Sequence, residues 1–252
     1  MDRRFEGRTA VIVGGASGIG ELTARRIASG GGCVVIADVN EEAAGKIANS
    51  ICAAGGCAWS IACDVRRRED VEKVRDFALE KTGSLDILVH TAGGASQRMC
   101  NAPGPFAERP YDVLDWGIDV NLKGPLYFAR AVIGKMLEQK RGVIILLGSI
   151  DGVTGSAPSC DYSTAKAGLI GLTKSLALIG AEHNVRTCCV SPGPVLTRPG
   201  MAAMKTPMNR AAEVHEVVDV ILFLASDQAS FITGVNYLVD GGRACGAQEY
   251  NI

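Results

Sequence analysis

Short apolar runs alternate with longer amphipathic segments along the whole chain. Most of the runs are nearly continuous in Val, Ile, Leu and Ala, which is typical of strands covered on both faces in a parallel sheet. Seven strands are predicted, at Thr9–Val13, Cys33–Ala37, Ala58–Ala62, Leu85–His90, Val143–Leu147, Val185–Val190 and Val235–Val239. Six helices are predicted between them, at Gly18–Ser29, Glu41–Ala54, Arg67–Lys81, Tyr111–Glu138, Tyr162–Glu182 and Ala212–Ala225. This alternation predicts right-handed βαβ units and an α/β fold, a doubly wound seven-stranded parallel sheet with helices on both faces.

Two long loops interrupt this alternation. Gly93–Pro110 is polar and contains several prolines, and Ser191–Asn209 is rich in Pro and Met. Each follows a predicted strand at its carboxyl end, which is where open α/β sheets bind ligands. Because loops of this length are more often functional than decorative, both are predicted to border a binding site.

Length, charge and apolar content exclude several classes of function. The 252 residues fit a single domain, and the formal net charge of −1 comes from interspersed charges, so no nucleic-acid partner is expected. The longest apolar runs, Val143–Leu147 and Val217–Ala225, are too short or too interrupted to span a membrane. No leader pattern precedes the first strand, so we expect a cytoplasmic protein. Its nine scattered cysteines indicate free thiols, and no ligand cluster indicates a metal.

A glycine-rich turn follows the first predicted strand. Gly14, Gly18 and Gly20 would allow a tight turn and a close approach of the backbone to a pyrophosphate at the helix N-terminus. Asp38 ends the second strand, and its carboxylate would accept hydrogen bonds from a ribose diol and repel a 2′-phosphate, which favours NAD over NADP. The alternative is that Asp38 is only a turn residue at a strand end.

Three polar residues further along the chain, Ser149, Tyr162 and Lys166, could together carry out proton transfer. Tyr162 and Lys166 are four residues apart and would share one helix face, while Ser149 precedes the tyrosine by thirteen residues. A neighbouring cation lowers the pKa of a phenol, which is ordinarily about 10, so we expect Tyr162 to exchange a proton with an alcohol or carbonyl. Proton transfer of this kind is half of a redox reaction whose other half is a hydride transfer.

In their order along the chain, these motifs closely resemble the short-chain dehydrogenase/reductase family, in its compact type of about this length. The matching segments are Val13–Gly20, Asp64-Val65, His90–Gly93, Asn121, Ser149, Tyr162, Lys166, Pro192-Gly193 and Asp240–Gly242. The resemblance implies a Rossmann-type domain and a catalytic tetrad of Asn121, Ser149, Tyr162 and Lys166, in which Asn121 would hold a water. It also implies a set of NAD-binding residues: Gly14, Ser17, Gly18, Ile19, Gly20, Asp38, Asp64, Val65, Ala92, Gly93, Tyr162, Lys166, Pro192, Gly193, Val195 and Thr197.

The chain departs from the family pattern at two places. Val13 replaces the usual threonine, and His90-Thr91 replaces a pair of asparagines that help bind the first turn to the fourth strand. We expect a more apolar packing between these strands rather than a loss of catalysis. His90 is predicted to be a packed, hydrogen-bonded histidine rather than a catalytic base.

The resulting hypothesis is an NAD-dependent oxidoreductase that interconverts a secondary alcohol and its ketone. The substrate would be a hydroxy compound such as a polyol, sugar or hydroxysteroid, bound by Ser149, Asp151, Tyr162 and Gln97. The alternatives are a 3-oxoacyl thioester reductase, which would usually use NADPH, and a non-catalytic protein that senses nicotinamide dinucleotides. The resemblance further implies a homotetramer or homodimer, with the tail Arg243–Ile252 reaching a neighbouring subunit.

Overall fold

A parallel sheet of seven strands forms the centre of the computed structural model, which describes residues 3–246. The strands lie in the order β3-β2-β1-β4-β5-β6-β7, and every neighbouring pair is parallel. Their bounds are β1 Thr9–Val13, β2 Cys33–Asp38, β3 Cys57–Ala62, β4 Ile87–His90, β5 Gly142–Leu147, β6 Val185–Pro192 and β7 Asn236–Val239. The order reverses direction between β1 and β4, which opens a crevice at the carboxyl ends of these two strands.

Helices cover both faces of this sheet. The α-helices are α1 Gly18–Ser29, α2 Glu41–Ala53, α3 Arg68–Thr82, α4 Ser96–Met99, α5 Tyr111–Ile118, α6 Gly124–Gln139, α7 Asp151–Thr154, α8 Cys160–Gly180 and α9 Val214–Ala225. Helices α1, α2 and α9 contribute to one hydrophobic core, and α3, α6 and α8 contribute to the other. The two cores therefore sandwich the sheet.

Strands β1 to β6 serve both cores because their side chains alternate between the two faces of the sheet. In β1, Ala10 and Ile12 enter the first core, whereas Val11 and Val13 enter the second, and all four are buried. This explains why these strands are apolar at most positions rather than at every second residue. The predicted doubly wound Rossmann-type fold is confirmed.

The main difference from the predicted elements lies in the long helix expected over Tyr111–Glu138. The chain there forms α5, then a π-helical turn at Asp119–Lys123, then α6. A π turn holds one more residue than an α turn and is frequent at functional sites. Elsewhere the strand and helix ends either match the predicted bounds or shift by one or two residues. The two long loops contain α4 and short 3₁₀ turns at Phe106–Glu108 and Pro199–Met201.

Within residues 3–246, no helix combines the length and the apolar character that crossing a membrane requires. Most of the tail predicted to reach a neighbouring subunit, residues 247–252, lies outside the described residues.

Candidate active site

A cavity of about 530 Å³ lies over the carboxyl ends of the strands at the crevice. Several residues predicted to bind the dinucleotide line it, namely Gly14, Ser17, Gly18, Ile19, Asp38, Asp64, Val65, Ala92, Gly93 and Thr197. The other predicted residues, Gly20, Tyr162, Lys166, Pro192, Gly193 and Val195, lie outside this lining. Among these, the Pro192 carbonyl accepts from Ile150 N–H, directly after Ser149, and Gly193 N–H donates to Val239.

The first turn fits a phosphate because glycine allows close packing there. Gly14 has a φ of +77°, and a Cβ on it would lie 2.5 Å from the Ala92 nitrogen. A Cβ on Gly20 would collide with the carbonyl oxygen of Gly14. The turn therefore packs directly on the end of β4 and leaves the N-terminus of α1 facing the cavity. Ser17, the N-cap residue, makes no side-chain capping bond, so this positive end of the helix can bind an anion.

The end of β2 supplies the carboxylate expected for a ribose. Asp38 Oδ2 accepts from Ala16 N–H at 3.0 Å and Oδ1 accepts from Asn40 N–H at 2.9 Å. Its carboxylate thus joins the first turn to β2 at the edge of the cavity. Together, the glycine turn, the cavity and Asp38 fit a nicotinamide dinucleotide.

The resemblance implies that the Asp64 carboxylate hydrogen-bonds the adenine of the dinucleotide, but Asp64 already has a cationic partner. Arg66 donates to its two carboxylate oxygens at 2.6–3.1 Å. Hydrogen bonding by Arg66 holds the pKa of Asp64 below its ordinary value, against the opposing effect of burial. Any contact with an adenine is therefore shared with Arg66, a residue that the sequence analysis did not single out.

Helix α8 places Lys166 beside Tyr162, as the four-residue spacing predicts. Lys166 Nζ lies 5.6 Å from the centre of the Tyr162 ring and donates to the Leu147 carbonyl at 2.6 Å. Burial lowers the pKa of Lys166 from 10.5 to about 8. The ammonium is thus held at the end of β5, next to the phenol.

The π turn directs Asn121 into the molecule. Asn121 is fully buried; its Oδ1 accepts from Gly94 N–H, and its Nδ2 donates to the carbonyls of Gly94 and Gly117, each at 2.9 Å. A Cβ on Gly93 would lie 2.6 Å from Asn121 Oδ1 and 3.3 Å from Lys166 Nζ. Asn121 and Lys166 are therefore close neighbours, and Asn121 fixes the start of the first long loop. That it also holds a water stays a prediction.

The expectation of a lowered pKa for Tyr162 is wrong for this structure. Burial raises the pKa of Tyr162, and a hydrogen bond with Ser149 opposes the rise. The negative charge of Asp151 adds to the rise, whereas Arg98 and Arg198 reduce it. Desolvation thus outweighs the stabilisation of the phenolate, and the sequence-based reasoning had considered only the charge of the lysine.

The segment that departs from the family pattern still makes polar contacts with the first turn. Thr91 Oγ1 donates to the carbonyl of Val13 at 2.7 Å and to that of Gly14 at 3.1 Å. The expectation of a more apolar junction is therefore wrong, because one hydroxyl binds the first turn to the end of β4.

His90 is packed as predicted, but it lacks the expected side-chain hydrogen bond. Its ring meets Phe128 edge-on with 5.4 Å between the centroids, and neither ring nitrogen bonds another residue in the described part of the chain. Burial and then the charge of Lys166 lower the pKa of His90 from 6.5 to about 3. The ring is thus kept neutral, which suits packing rather than acid–base catalysis.

The predicted substrate residues occupy different surroundings. Ser149 is buried, and its Oγ accepts from Asp151 N–H at 3.2 Å. Burial raises the pKa of Asp151, and Arg243 opposes that rise. Gln97 instead donates to Ser159 Oγ at 2.5 Å and does not line the cavity. Its role in substrate binding stays a prediction, and its observed bond anchors the first long loop.

Two features of the site lie outside the set of predicted site residues. Arg98 and Arg198 line the cavity from the two long loops, where a charged residue inside a predicted ligand-binding loop was the available signal. Arg109 and Asp161 form a buried ion pair below the site. The position of Asp161 directly before Tyr162 was its only indication in the sequence.

Comparison with known proteins gives a consistent result. A family model described as enoyl-(acyl carrier protein) reductase matches residues 14–244. The chain is 38% identical over 254 residues to a cis-4-hydroxycyclohexanecarboxylate dehydrogenase of Sinomonas cyclohexanicum, covering 96% of this chain and 98% of that protein. It is 32% identical over 274 residues to a xanthoxin dehydrogenase of Arabidopsis thaliana, covering 99% of this chain and 94% of that protein. The solved structure of gox2181 matches with a TM-score of 0.88 at 32% identity, over 97% of this chain and 99% of that one.

Proposed function

Because the chain belongs to the short-chain dehydrogenase/reductase family of oxidoreductases, we propose that it interconverts a secondary alcohol and its ketone with NAD. The observation that carries this proposal is the position of Lys166 beside Tyr162, next to a glycine-lined cavity that fits the dinucleotide. A protein that only sensed the dinucleotide would not need the lysine and tyrosine held in this way.

Each polar residue of the site has a part in the reaction. The nicotinamide, when bound, accepts or supplies the hydride. Tyr162 takes the proton of the substrate hydroxyl during oxidation and returns it during reduction. Ser149 hydrogen-bonds the substrate oxygen as its charge changes, and Lys166 stabilises the phenolate. Since burial raises the pKa of Tyr162, the phenolate that accepts the substrate proton forms at a higher pH than usual, and oxidation should accelerate as the pH rises into the alkaline range.

The choice of NAD over NADP is supported by Asp38. Its carboxylate borders the cavity and would repel a 2′-phosphate bound beside it, and neither Ser17 nor the turn around it adds a cation. A cytoplasmic location and a homotetrameric or homodimeric assembly belong to the same proposal by analogy with the family.

The substrate class rests on the site and on relatives. Asp151 and Ser149 lie near Tyr162 and would bind a second hydroxyl, as in a polyol, sugar or hydroxysteroid. The bacterial relative is named for an alicyclic hydroxy acid, which makes 4-hydroxycyclohexanecarboxylate a suitable first substrate to assay.

A reductase of acyl thioesters is the second candidate, because the description of the matching family model names an enoyl-(acyl carrier protein) reductase. It would be expected to prefer NADPH, and Asp38 argues against that preference. An assay of a 3-oxoacyl thioester with each reduced cofactor separates the two candidates.

Replacement of Tyr162 by Phe tests the proposal. The variant should lose turnover of every secondary alcohol in a panel of alicyclic, polyol, sugar and steroid alcohols, while its affinity for NAD stays close to that of the wild type. A wild-type protein that binds NAD but oxidises no member of the panel would favour the sensing alternative. Turnover retained after loss of the phenol would exclude Tyr162 as the proton-transfer group.

A further inference from the structure

Three arginines line the cavity, and they differ in whether a carboxylate neutralises them. Arg66 holds Asp64 at one end of the cavity, with Nη2 at 2.6 Å from the carboxylate. The guanidinium groups of Arg98 and Arg198, one on each long loop, make no hydrogen bond or ion pair with another residue of the described range 3–246. The cavity therefore carries two guanidinium groups without an acidic partner.

These two arginines line the same cavity, and the charge of one acts on the other. Burial, and then the positive charge of Arg198, lower the pKa of Arg98 below its ordinary value. Two like charges in proximity repel, and an anion between them would remove that repulsion. The guanidinium fork is also the side chain best suited to bidentate binding of an oxyanion.

They also lie at the catalytic end of the cavity. The guanidinium of Arg98 lies against Gly94, since a Cβ built on that glycine would be 3.1 Å from Nη2. Gly94 is also the residue whose backbone is hydrogen-bonded to Asn121. Burial raises the pKa of Tyr162, and the charges of Arg98 and Arg198 both oppose that rise, so both act on the phenol. An anion bound by this pair would therefore be close to the group that handles the substrate proton.

The acidic residue near the phenol does not neutralise them. The cation that acts on the pKa of Asp151 is Arg243, whose charge opposes the rise caused by burial. Lys166 adds a further cation beside Tyr162. Positive charge is thus in excess where the substrate would bind. A neutral alcohol would leave this charge uncompensated, whereas an anionic substrate would complement it.

We propose that Arg98 and Arg198 bind a carboxylate of the substrate, so that the protein acts on a hydroxy acid and the corresponding oxo acid. This rests on the proposed function, since it assumes that the carbinol carbon of the same molecule lies at Tyr162. The pyrophosphate of the dinucleotide has similar oxyanion chemistry, and the experiment is designed to distinguish it from the substrate carboxylate.

Calorimetric titration measures this without any turnover. Cyclohexanecarboxylate and cyclohexanecarboxamide, which differ in charge but share a ring, are titrated into the protein saturated with NAD. The wild type should bind the carboxylate more tightly. Arg98→Met and Arg198→Met should each weaken the binding of the carboxylate by about 10- to 100-fold, because a charge-assisted hydrogen bond is lost. The affinity for the carboxamide should change little. Arg3→Gln removes an exposed arginine that pairs with Glu6 and should match the wild type.

Two results would overturn the proposal. One is a wild type that binds the carboxylate no more tightly than the carboxamide. The other is a loss of affinity for NAD in the arginine variants while carboxylate binding persists, which would assign the pair to the cofactor phosphates. If a variant fails to fold, the wild type still provides a test, because the affinity for the carboxylate alone should fall as NaCl is raised. Failure of the proposed function would appear separately, as the absence of alcohol oxidation.

Discussion

The guanidinium of Arg109 lies 3.5 Å from the carboxylate of Asp161, and both side chains are almost completely buried. Arg109 also donates to the carbonyls of Gly104 and Pro158, each at 3.1 Å. The pair therefore joins the end of the first long loop to the start of α8, one residue before Tyr162. It connects a loop that borders the cavity to the helix that carries the proton-transfer group.

Breaking this pair should destabilise the protein strongly. Arg109→Met leaves the buried carboxylate of Asp161 without its cation, and the free energy of unfolding should fall by about 3–5 kcal/mol in urea titrations. Arg130→Gln is the matched control, because Arg130 pairs with Glu72 at the surface and should change stability little. Equal effects of the two changes would show that the buried pair has no special weight.

His90 should make the protein sensitive to acid. Its pKa is lowered from 6.5 to about 3, so between these values the unfolded chain binds a proton that the folded protein excludes. The stability associated with the neutral ring is therefore complete above pH 6.5 and is lost as the pH falls towards 3. By this linkage His90 accounts for a loss of about 2 kcal/mol between pH 7 and pH 5.

The variant His90→Asn lacks this proton and should lose correspondingly less stability over that interval. Urea titrations of both proteins at pH 7 and pH 5 measure the difference. Identical losses would contradict the assignment of a neutral buried imidazole.

Lys166 should be required for turnover and yet lower the stability of the folded protein. Its pKa is lowered from 10.5 to about 8, so the folded protein binds the proton less well than the unfolded chain, and stability increases as the pH rises from 8 to 10.5. Lys166→Met should therefore be more stable than the wild type at pH 7, by up to about 3 kcal/mol, and should lose turnover.

The stability difference between the two proteins should shrink by about 2 kcal/mol between pH 7 and pH 10. The wild type becomes more stable as the pH rises, whereas the variant has no ammonium to deprotonate and should not. Urea titrations at both pH values measure it. Parallel stability profiles would show that the ammonium is not desolvated in the folded protein.

Asp38 should control the preference between the two dinucleotides. In Asp38→Asn the new amide oxygen still accepts one of the two backbone hydrogen bonds, but the negative charge is removed. We expect the ratio of kcat/KM for NADP to that for NAD to rise at least about tenfold, since the repulsion of the 2′-phosphate disappears. Asp219→Asn, at an exposed pair with Arg26, is the control for loss of one charge. An unchanged ratio would leave Asp38 as a turn residue.

Short-range pattern was sufficient for much of the fold and for part of the site. Continuous apolar strands predicted the sheet, and a helical spacing of four residues predicted that Tyr162 and Lys166 lie together. Contacts between distant segments were not visible in this way. The bonds from Thr91 to Val13 and Gly14 span more than seventy residues of chain, and the pairing of Arg109 with Asp161 spans more than fifty.

Desolvation was equally hard to infer from the sequence. The direction in which the pKa of Tyr162 moves depends on how deeply the surrounding elements bury it, whereas the neighbouring lysine can be seen from spacing alone. The π turn was missed because both helices around it have ordinary amphipathic sequences. Only the turn itself has unusual geometry.

The wide turn at Asp119–Lys123 makes the length of this segment critical. Deleting a single residue there would remove the extra residue of the π turn, so that a regular α-helix could run from α5 into α6 with the apolar side of α6 still facing the sheet. Asn121 would then leave the Gly94 backbone, and the start of the first long loop would lose these hydrogen bonds. Homologous chains that keep the same arrangement should therefore tolerate substitutions in this turn more easily than insertions or deletions.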